Sequence, residues 1–405
     1  MKTTIPQIIM TALAMTACSQ AAGATFGDDL AFLQKHTPLI VLSDPAGQAK
    51  VAVAPAWQGR VMTSSAGGDS GLSYGWINRD LIASGKLQPH INAFGGEDRF
   101  WLGPEGGQFS IFFAKGAKFE LSDWFTPAAI DTMPYEVTQQ SQSSATFRAG
   151  FSLTNFSGTR FEVGVDRAVN LLTPRETAAK LGVKVGKGVT LVAYETVNKI
   201  TNIGELPWEN KSGLLSVWIL GMFNPSPATT IVVPIKSGPE SKLGAKVTSD
   251  YFGTVPASRL VVKDEVIFFS GDGGFRSKIG INPLRSKAVL GSYDATGKVL
   301  TIVQFTQPEG VTDYVNALWK IQDQPFSGDA ANSYNDGPPA PGVKPLGPFY
   351  ELESSSPAAA LAPRQSLTHI HRTFHLSGSE ASLDAVAKSV LGVSLAEIQA
   401  ALPKS

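Results

Sequence analysis

The densest run of groups able to do chemistry lies between His90 and Gln108. It holds His90 and Asn92, then Glu97, Asp98, Arg99, Trp101 and Glu105 between the glycine pairs Gly95-Gly96 and Gly106-Gly107. Carboxylates, an amide and a guanidinium exchange paired hydrogen bonds with hydroxyl groups, and an indole offers a flat apolar face. A sugar ring is held by that mixture, and paired glycines permit close backbone approach or positive φ. The same residues would also serve a tight loop with an internal ion pair and Trp101 in the core, although loop positions carry function disproportionately often.

A second group runs from Phe349-Tyr350-Glu351-Leu352-Glu353-Ser354 to Thr368-His369-Ile370-His371-Arg372-Thr373-Phe374-His375, where three of the five histidines fall. On a strand, His369, His371, Thr373 and His375 share one face. Two of these imidazoles with a carboxylate such as Glu353 could surround a divalent metal, supply acid/base groups, or simply be solvated. No residue is assigned as a metal ligand, and no cofactor is expected. A third segment, from Trp57-Gln58-Gly59-Arg60 to Tyr74, Trp76 and Asn78, adds Arg60 as a candidate contact beside aromatic rim or core residues.

No phosphate-binding glycine loop, dinucleotide fingerprint, nucleophile elbow or His-Glu-x-x-His helix occurs. The 34 basic residues balance 34 acidic ones and are scattered, so there is no electrostatic footprint for nucleic acid.

The elements that must position these groups are mainly strands, because apolar residues alternate with period two far more often than they recur at helical spacing. Phe147, Ala149, Phe151 and Leu153 line one strand face, and Phe161, Val163 and Val165 the next, across the turn Asn155-Phe156-Ser157-Gly158. Similar strands are expected at 50–54, 60–64, 109–113, 189–197, 214–220, 262–269, 298–305 and 368–376. So many strands without interleaved helices predict packed antiparallel sheets. Helices are expected at the ends: Asp28 to Lys35, and two short ones within 380–402, the last opened by a Ser394/Glu397 capping box. The Pro/Gly-rich stretch Gly337 to Pro348 reads as a long surface loop inside one domain, 27–405.

The first 17 residues, with Lys2 and an apolar core from Ile5 to Ala17, have the form of a signal peptide. The run Leu13-Ala14-Met15-Thr16-Ala17-Cys18 resembles a bacterial lipobox, and Cys18 is the single cysteine. The expectation is an exported protein acylated at Cys18, with 18–26 as linker. Its only membrane contact would be that lipid, and Ser19 resembles an outer-membrane sorting signal. An internal disulfide is impossible with one cysteine.

The Gln58-Gly59-Arg60-Val61 strand, the Gly95-Gly96 segment, and the Leu352-Glu353-Ser354 strand running to Pro357 and an Arg364-to-Phe374 strand resemble galactose mutarotase and related aldose 1-epimerase-like proteins. More closely, the Gly-Gly-Glu-Asp-Arg-Phe-Trp and Phe-Tyr-Glu-Leu-Glu-Ser stretches resemble a bacterial family of unknown function within that group. The resemblance implies a β supersandwich with a shallow sugar groove on a concave sheet, a glutamate base matched by Glu353, and a histidine acid on a strand matched near Val217 to Phe223. No histidine lies between His90 and His369, so the acid must come from elsewhere, His90 or His371. Asn92, Glu97, Asp98, Arg99, Trp101, Glu105, Arg60, Glu351 and His369 are then expected to contact the sugar. The reaction would be epimerisation, or a lyase or hydrolase step; alternatives are a non-catalytic glycan-binding protein and a structural envelope lipoprotein.

Overall fold

Period-two alternation does build the molecule. A computed structural model describes residues 23–403 and resolves them into three antiparallel sheets with few helices. Cys18 and the signal segment lie outside the described residues.

The large sheet has ten strands in the order Leu260–Val262, Val266–Ser270, Thr229–Pro234, Val289–Asp294, Val299–Phe305, Ser366–Ser377, Thr190–Asn202, Arg160–Leu171, Ser144–Thr154 and Glu136–Gln140. The small sheet has five, Ser277–Ile281, Ala331–Asn335, Tyr350–Ser355, Ser216–Phe223 and Arg99–Gly103. A separate three-stranded sheet joins Ile40–Ser43, Lys50–Ala54 and Arg60–Ser65. The fold is therefore a mainly antiparallel β-sandwich, as the alternation predicts.

The small sheet lies against the large one. Phe100, Leu102, Val217 and Ile219 from the small sheet share a core with Phe147, Val163, Val165 and Tyr194 from the large one. The opposite face of the large sheet carries Phe268, Leu300, Ile302, Phe374 and Leu376, covered by Leu383, Val386, Leu391, Leu395 and Ile398 of the helices Glu380–Leu391 and Leu395–Gln399. The expected capping box of Ser394 and Glu397 opens the last helix.

Three expectations fail locally. Residues 109–113 do not form a strand. Only Phe113 makes a bridge, to Trp124, because Ile111, Phe112 and Phe113 all pack into the core rather than alternating between two faces. The expected strand 262–269 is a hairpin of two strands, Leu260–Val262 and Val266–Ser270, broken at Lys263-Asp264-Glu265. Short helices also occur mid-chain at Arg79–Ser84, Ala128–Asp131, Pro174–Leu181 and Glu240–Leu243; none exceeds 8 residues, too brief to leave a helical period in the sequence.

The glycine pair acts through geometry. Gly95 and Gly96 have φ of 95° and 113°, and a Cβ on Gly95 would meet the Trp76 carbonyl oxygen at 2.0 Å. Gly95→Ala is expected to destabilise the protein by about 1–3 kcal/mol through backbone displacement, read as a lower urea midpoint at unchanged slope.

Candidate functional site: a tryptophan-walled cavity on the small sheet

Because neighbouring side chains on a strand point to opposite faces, each strand of the small sheet divides its residues between the core and the other side. Phe100 and Leu102 go to the core while Arg99 and Trp101 line a cavity; Val217 and Ile219 go to the core while Trp218, Leu220 and Met222 line it. Lys278, Tyr334 and Glu351 join them, aligned by register: Lys278 is opposite Tyr334, Tyr334 opposite Glu351, and Glu351 opposite Met222. Glu353 sits in the parallel row, opposite Leu220, which faces Arg99.

The cavity has a volume of about 330 Å³. Connecting segments close over the sheet, bringing His90, Glu105, Trp124, Phe252, Arg276 and Trp319, with Val343, Lys344 and Leu346 from the proline-rich loop. Four of the seven tryptophans, Trp101, Trp124, Trp218 and Trp319, stand around it. Trp101 meets Trp218 edge-to-face at 5.6 Å between centroids.

Charges are paired on this wall. Arg99 donates from Nη2 to Glu351 Oε1. Glu353 Oε2 accepts from Trp218 Nε1 at 2.9 Å and from Lys278 Nζ at 3.2 Å, while the Lys278 ammonium lies 4.6 Å from the Trp218 ring centroid. Burial pushes the Glu351 carboxyl up to about 8, against the pull of Arg99 and with the help of Glu353. Burial also raises Glu105, opposed by Lys278. Lys278 would be lowered by burial, but Glu353, Glu105 and Glu351 hold it above the ordinary lysine value.

Four buried polar atoms around the cavity have no hydrogen-bond partner among the described residues: Arg99 Nε, Trp101 Nε1, Trp124 Nε1 and Glu353 Oε1. Buried polar groups are nearly always satisfied, so such a cluster marks a place where a ligand or water completes the set. A second cavity of about 570 Å³ lies beside Asp29, Tyr74, Asn224 and His375. There the polar groups already have partners. Asp29 bonds Ser73 and Arg79, Tyr74 bonds Ser377, Asn224 bonds the Ser73 and Gly75 carbonyls, and His375 bonds Glu97 and Thr301.

Of the residues expected at a site, His90, Arg99, Trp101, Glu105 and Glu351 line the cavity, and Glu353 stands buried behind its wall, bonded to Trp218 and Lys278. His90 stands at the wall, its Nδ1 2.6 Å from the Trp124 carbonyl oxygen and its ring stacked on Phe125. The other six do not reach it. Glu97 is buried on the core side, accepting from the Ser64 backbone and hydroxyl and from Tyr194, and meeting His375 Nε2 at 3.0 Å. Asp98 is fully buried against Arg167 at 2.6 Å and accepts from Thr196 at 2.8 Å. Arg60 is buried on the Gly95 and Asp131 carbonyls and Gln58, and Asn92 is tied to Asp131 and Gln88. His369 and His371 both meet Ser354 Oγ at 2.8 Å, on the core face of the strand whose other face bears Glu353. The Tyr350–Ser355 strand thus lies between these histidines and Glu353, and the arrangement of Glu353 with two imidazoles does not form. Among the described residues no group of three His, Cys, Asp or Glu is placed to hold a metal ion.

Lys278, Trp218, Arg276 and Trp319 were not singled out from sequence. Phe275-Arg276-Ser277-Lys278-Ile279-Gly280-Ile281 carries the signal in part, since Lys278 alternates with Ser277 and Ile279 at period two. A lysine on an otherwise buried strand needs an anionic partner, and that pairing could have drawn attention to it.

The core and the site titrate in opposite senses. Burial lowers His369 to about 3 and His371 to about 4 from 6.5, so the unfolded chain takes up protons first and stability is lost as pH falls below about 6.5. Glu351 keeps its proton in the folded state up to about 8, whereas the unfolded chain releases it from about 4.5, so its contribution is lost as pH rises across that window. Urea unfolding at several pH values is expected to give a stability maximum near pH 6.5, and Glu351→Gln to flatten the limb above it and to steepen the fall between about 6.5 and 4.5, where the Glu351 and histidine contributions oppose each other.

A model of a family of unknown function, DUF6786, matches residues 24–402. The chain belongs to that family. No curated protein matches it in sequence. Among solved structures, this family member is similar to Slr1438 from Synechocystis sp. PCC 6803, with 14% identity, TM-score 0.49, and coverage of 85% of this chain and 96% of that one. It is also similar to a galactose mutarotase related enzyme from Lactobacillus acidophilus, with 12% identity, TM-score 0.47, and coverage of 84% and 98%. A galactose mutarotase-like protein from Lactobacillus casei gives 11%, 0.43, 84% and 99%. No helix among the described residues of this DUF6786 protein is long and apolar enough to cross a membrane.

Proposed function

We propose that the protein binds a sugar or glycan fragment in the tryptophan-walled cavity and exchanges protons with it at the anomeric centre. The observation that carries this reading is the cluster of unmatched buried polar atoms, Arg99 Nε, Trp101 Nε1, Trp124 Nε1 and Glu353 Oε1, among aromatic faces. Indole faces take the apolar face of a pyranose, and its hydroxyls satisfy the donors and acceptors.

Glu353 serves as the base: it removes the proton of the anomeric hydroxyl, and Lys278 and Trp218 hold its carboxylate in place. Glu351, two residues away on the same strand face and therefore roughly 7 Å along the strand, retains its proton near neutrality. It delivers that proton to the ring oxygen as the bond from the anomeric carbon to that oxygen breaks and the carbonyl forms. Reclosure on either face reverses both transfers, giving epimerisation. A general acid matched in this way to the working pH is the effective choice. His90 is the second candidate for the acid, from the cavity wall.

The signal-like first 17 residues and Cys18 support export and lipid attachment in the cell envelope, which would hold the cavity near extracytoplasmic glycan. Palmitate labelling that disappears in Cys18→Ser tests the attachment.

Binding is tested by tryptophan fluorescence, because four of seven indoles line the cavity. Titration with mono- and oligosaccharides is expected to shift the emission, and Trp101→Phe to reduce that shift. A protein whose emission responds to no sugar would favour the structural-envelope reading.

A further inference from the structure

The charges around the cavity do not all cancel. Arg99 is held by its bond to Glu351, and Lys278 is matched by Glu353. Arg276 is different: it lines the cavity, yet makes no ion pair among the described residues. Its guanidinium is laid on Phe252, 3.8 Å from the ring centroid, and Phe252 in turn meets Tyr334 edge-on at 5.9 Å. Stacking of this kind fixes a guanidinium plane while leaving its N–H edge free to bond.

The cavity carboxyls Asp336 and Glu105 feel its charge, but neither makes an ion pair with it. Asp336 accepts from Tyr334 OH at 2.7 Å and from the Gly347 amide at 2.9 Å, and burial raises its carboxyl above the ordinary value. Glu105, also raised by burial, is nearer Lys278 and Glu353 in its electrostatic influences. Lys344, on the loop over the same opening, adds a second cation with no ion pair among the described residues. A stacked guanidinium without an ion pair and an ammonium lining the same cavity offer an oxyanion charge-assisted bonds, and bidentate ones are strong.

We infer that the sugar taken by this cavity carries an anionic substituent, held by Arg276 on its Phe252 seat with Lys344 above it. This deepens the sugar-binding reading and rests on it. The chemistry is an oxyanion on a pyranose, either a uronic carboxylate or a phosphate ester.

The test compares the purified protein and two variants, Arg276→Gln and Arg276→Lys, with three probes: glucose, glucuronate and glucose 6-phosphate. Dissociation constants are read by tryptophan fluorescence at low and high salt. The expected result is that one acidic sugar binds at least about tenfold more tightly than glucose. That preference falls with salt, is abolished by Arg276→Gln, and is partly kept by Arg276→Lys. Whichever acidic sugar binds more tightly identifies the anion. Arg276 is half-exposed, and an unchanged melting temperature checks that each variant folds. Equal affinity for glucose and both acids, or a preference that survives Arg276→Gln, overturns the inference while leaving sugar binding in place. Binding of none of the three sugars overturns both.

Discussion

Replacing Glu353 by Gln is expected to slow anomer exchange by about 10²- to 10⁴-fold, the usual contribution of a positioned general base, while changing sugar affinity by less than tenfold. The substitution keeps size and planarity but removes the proton acceptor that faces Trp218 Nε1 and Lys278 Nζ at 2.9 and 3.2 Å. Magnetisation-transfer NMR between the α and β signals of a reducing sugar measures the exchange directly. Fluorescence titration of the same variant separates binding from chemistry, because an interaction used only in the transition state changes rate and not affinity. If wild type accelerates exchange and Glu353→Gln does so equally, Glu353 is not the base. If wild type binds sugar without accelerating exchange at all, the cavity is a binding site alone.

The second large effect concerns stability. Asp98→Ala removes the partner of Arg167, and both side chains are fully buried between the sheets. Arg167 would retain the Gly59 carbonyl, Asn198 and the Asp98 backbone carbonyl, but its charge would be uncompensated. Breaking such a pair costs about 3–5 kcal/mol. The expected urea midpoint is far below that of wild type, with sugar affinity unchanged under conditions where the variant remains folded. A variant of near-native stability that no longer bound sugar would instead return Asp98 to the site.

That contrast shows what a linear reading can and cannot reach. Glu97, Asp98, Arg99 and Trp101 are adjacent in sequence and look like one cluster. The pleat sends Arg99 and Trp101 to the cavity and Asp98 to the core, while Glu97, just before the strand, also turns inward. Alternation was legible, as the strands at 144–154 and 160–171 with their turn between them illustrate. Which face would meet the large sheet was not legible, because both faces of the Arg99–Gly103 strand are buried and a charge stands at the head of each, Asp98 before Phe100 and Leu102, Arg99 before Trp101. The histidines went the same way. His369, His371 and His375 do share a strand face as expected, but that face looks into the sandwich, where Ser354 bonds His369 and His371 and Glu97 and Thr301 bond His375.

Glu351 and Glu353 were legible because two carboxylates at spacing two must share a face. Lys278 and Trp218 were hidden by distance: they lie 75 and 135 residues from Glu353 in sequence, and only strand pairing brings them to it. Arg276 was hidden for another reason, since its distinction is the lack of an ionic partner.

The most direct test of the central claim is a crystal structure of the protein with its tightest-binding sugar. The account predicts a pyranose in the small-sheet cavity, stacked on one of the four indoles, with hydroxyls within hydrogen-bonding distance of Glu353 Oε1 and Arg99 Nε. A sugar seated instead in the larger cavity beside Tyr74 and His375, with the tryptophan-walled one vacant, would contradict it.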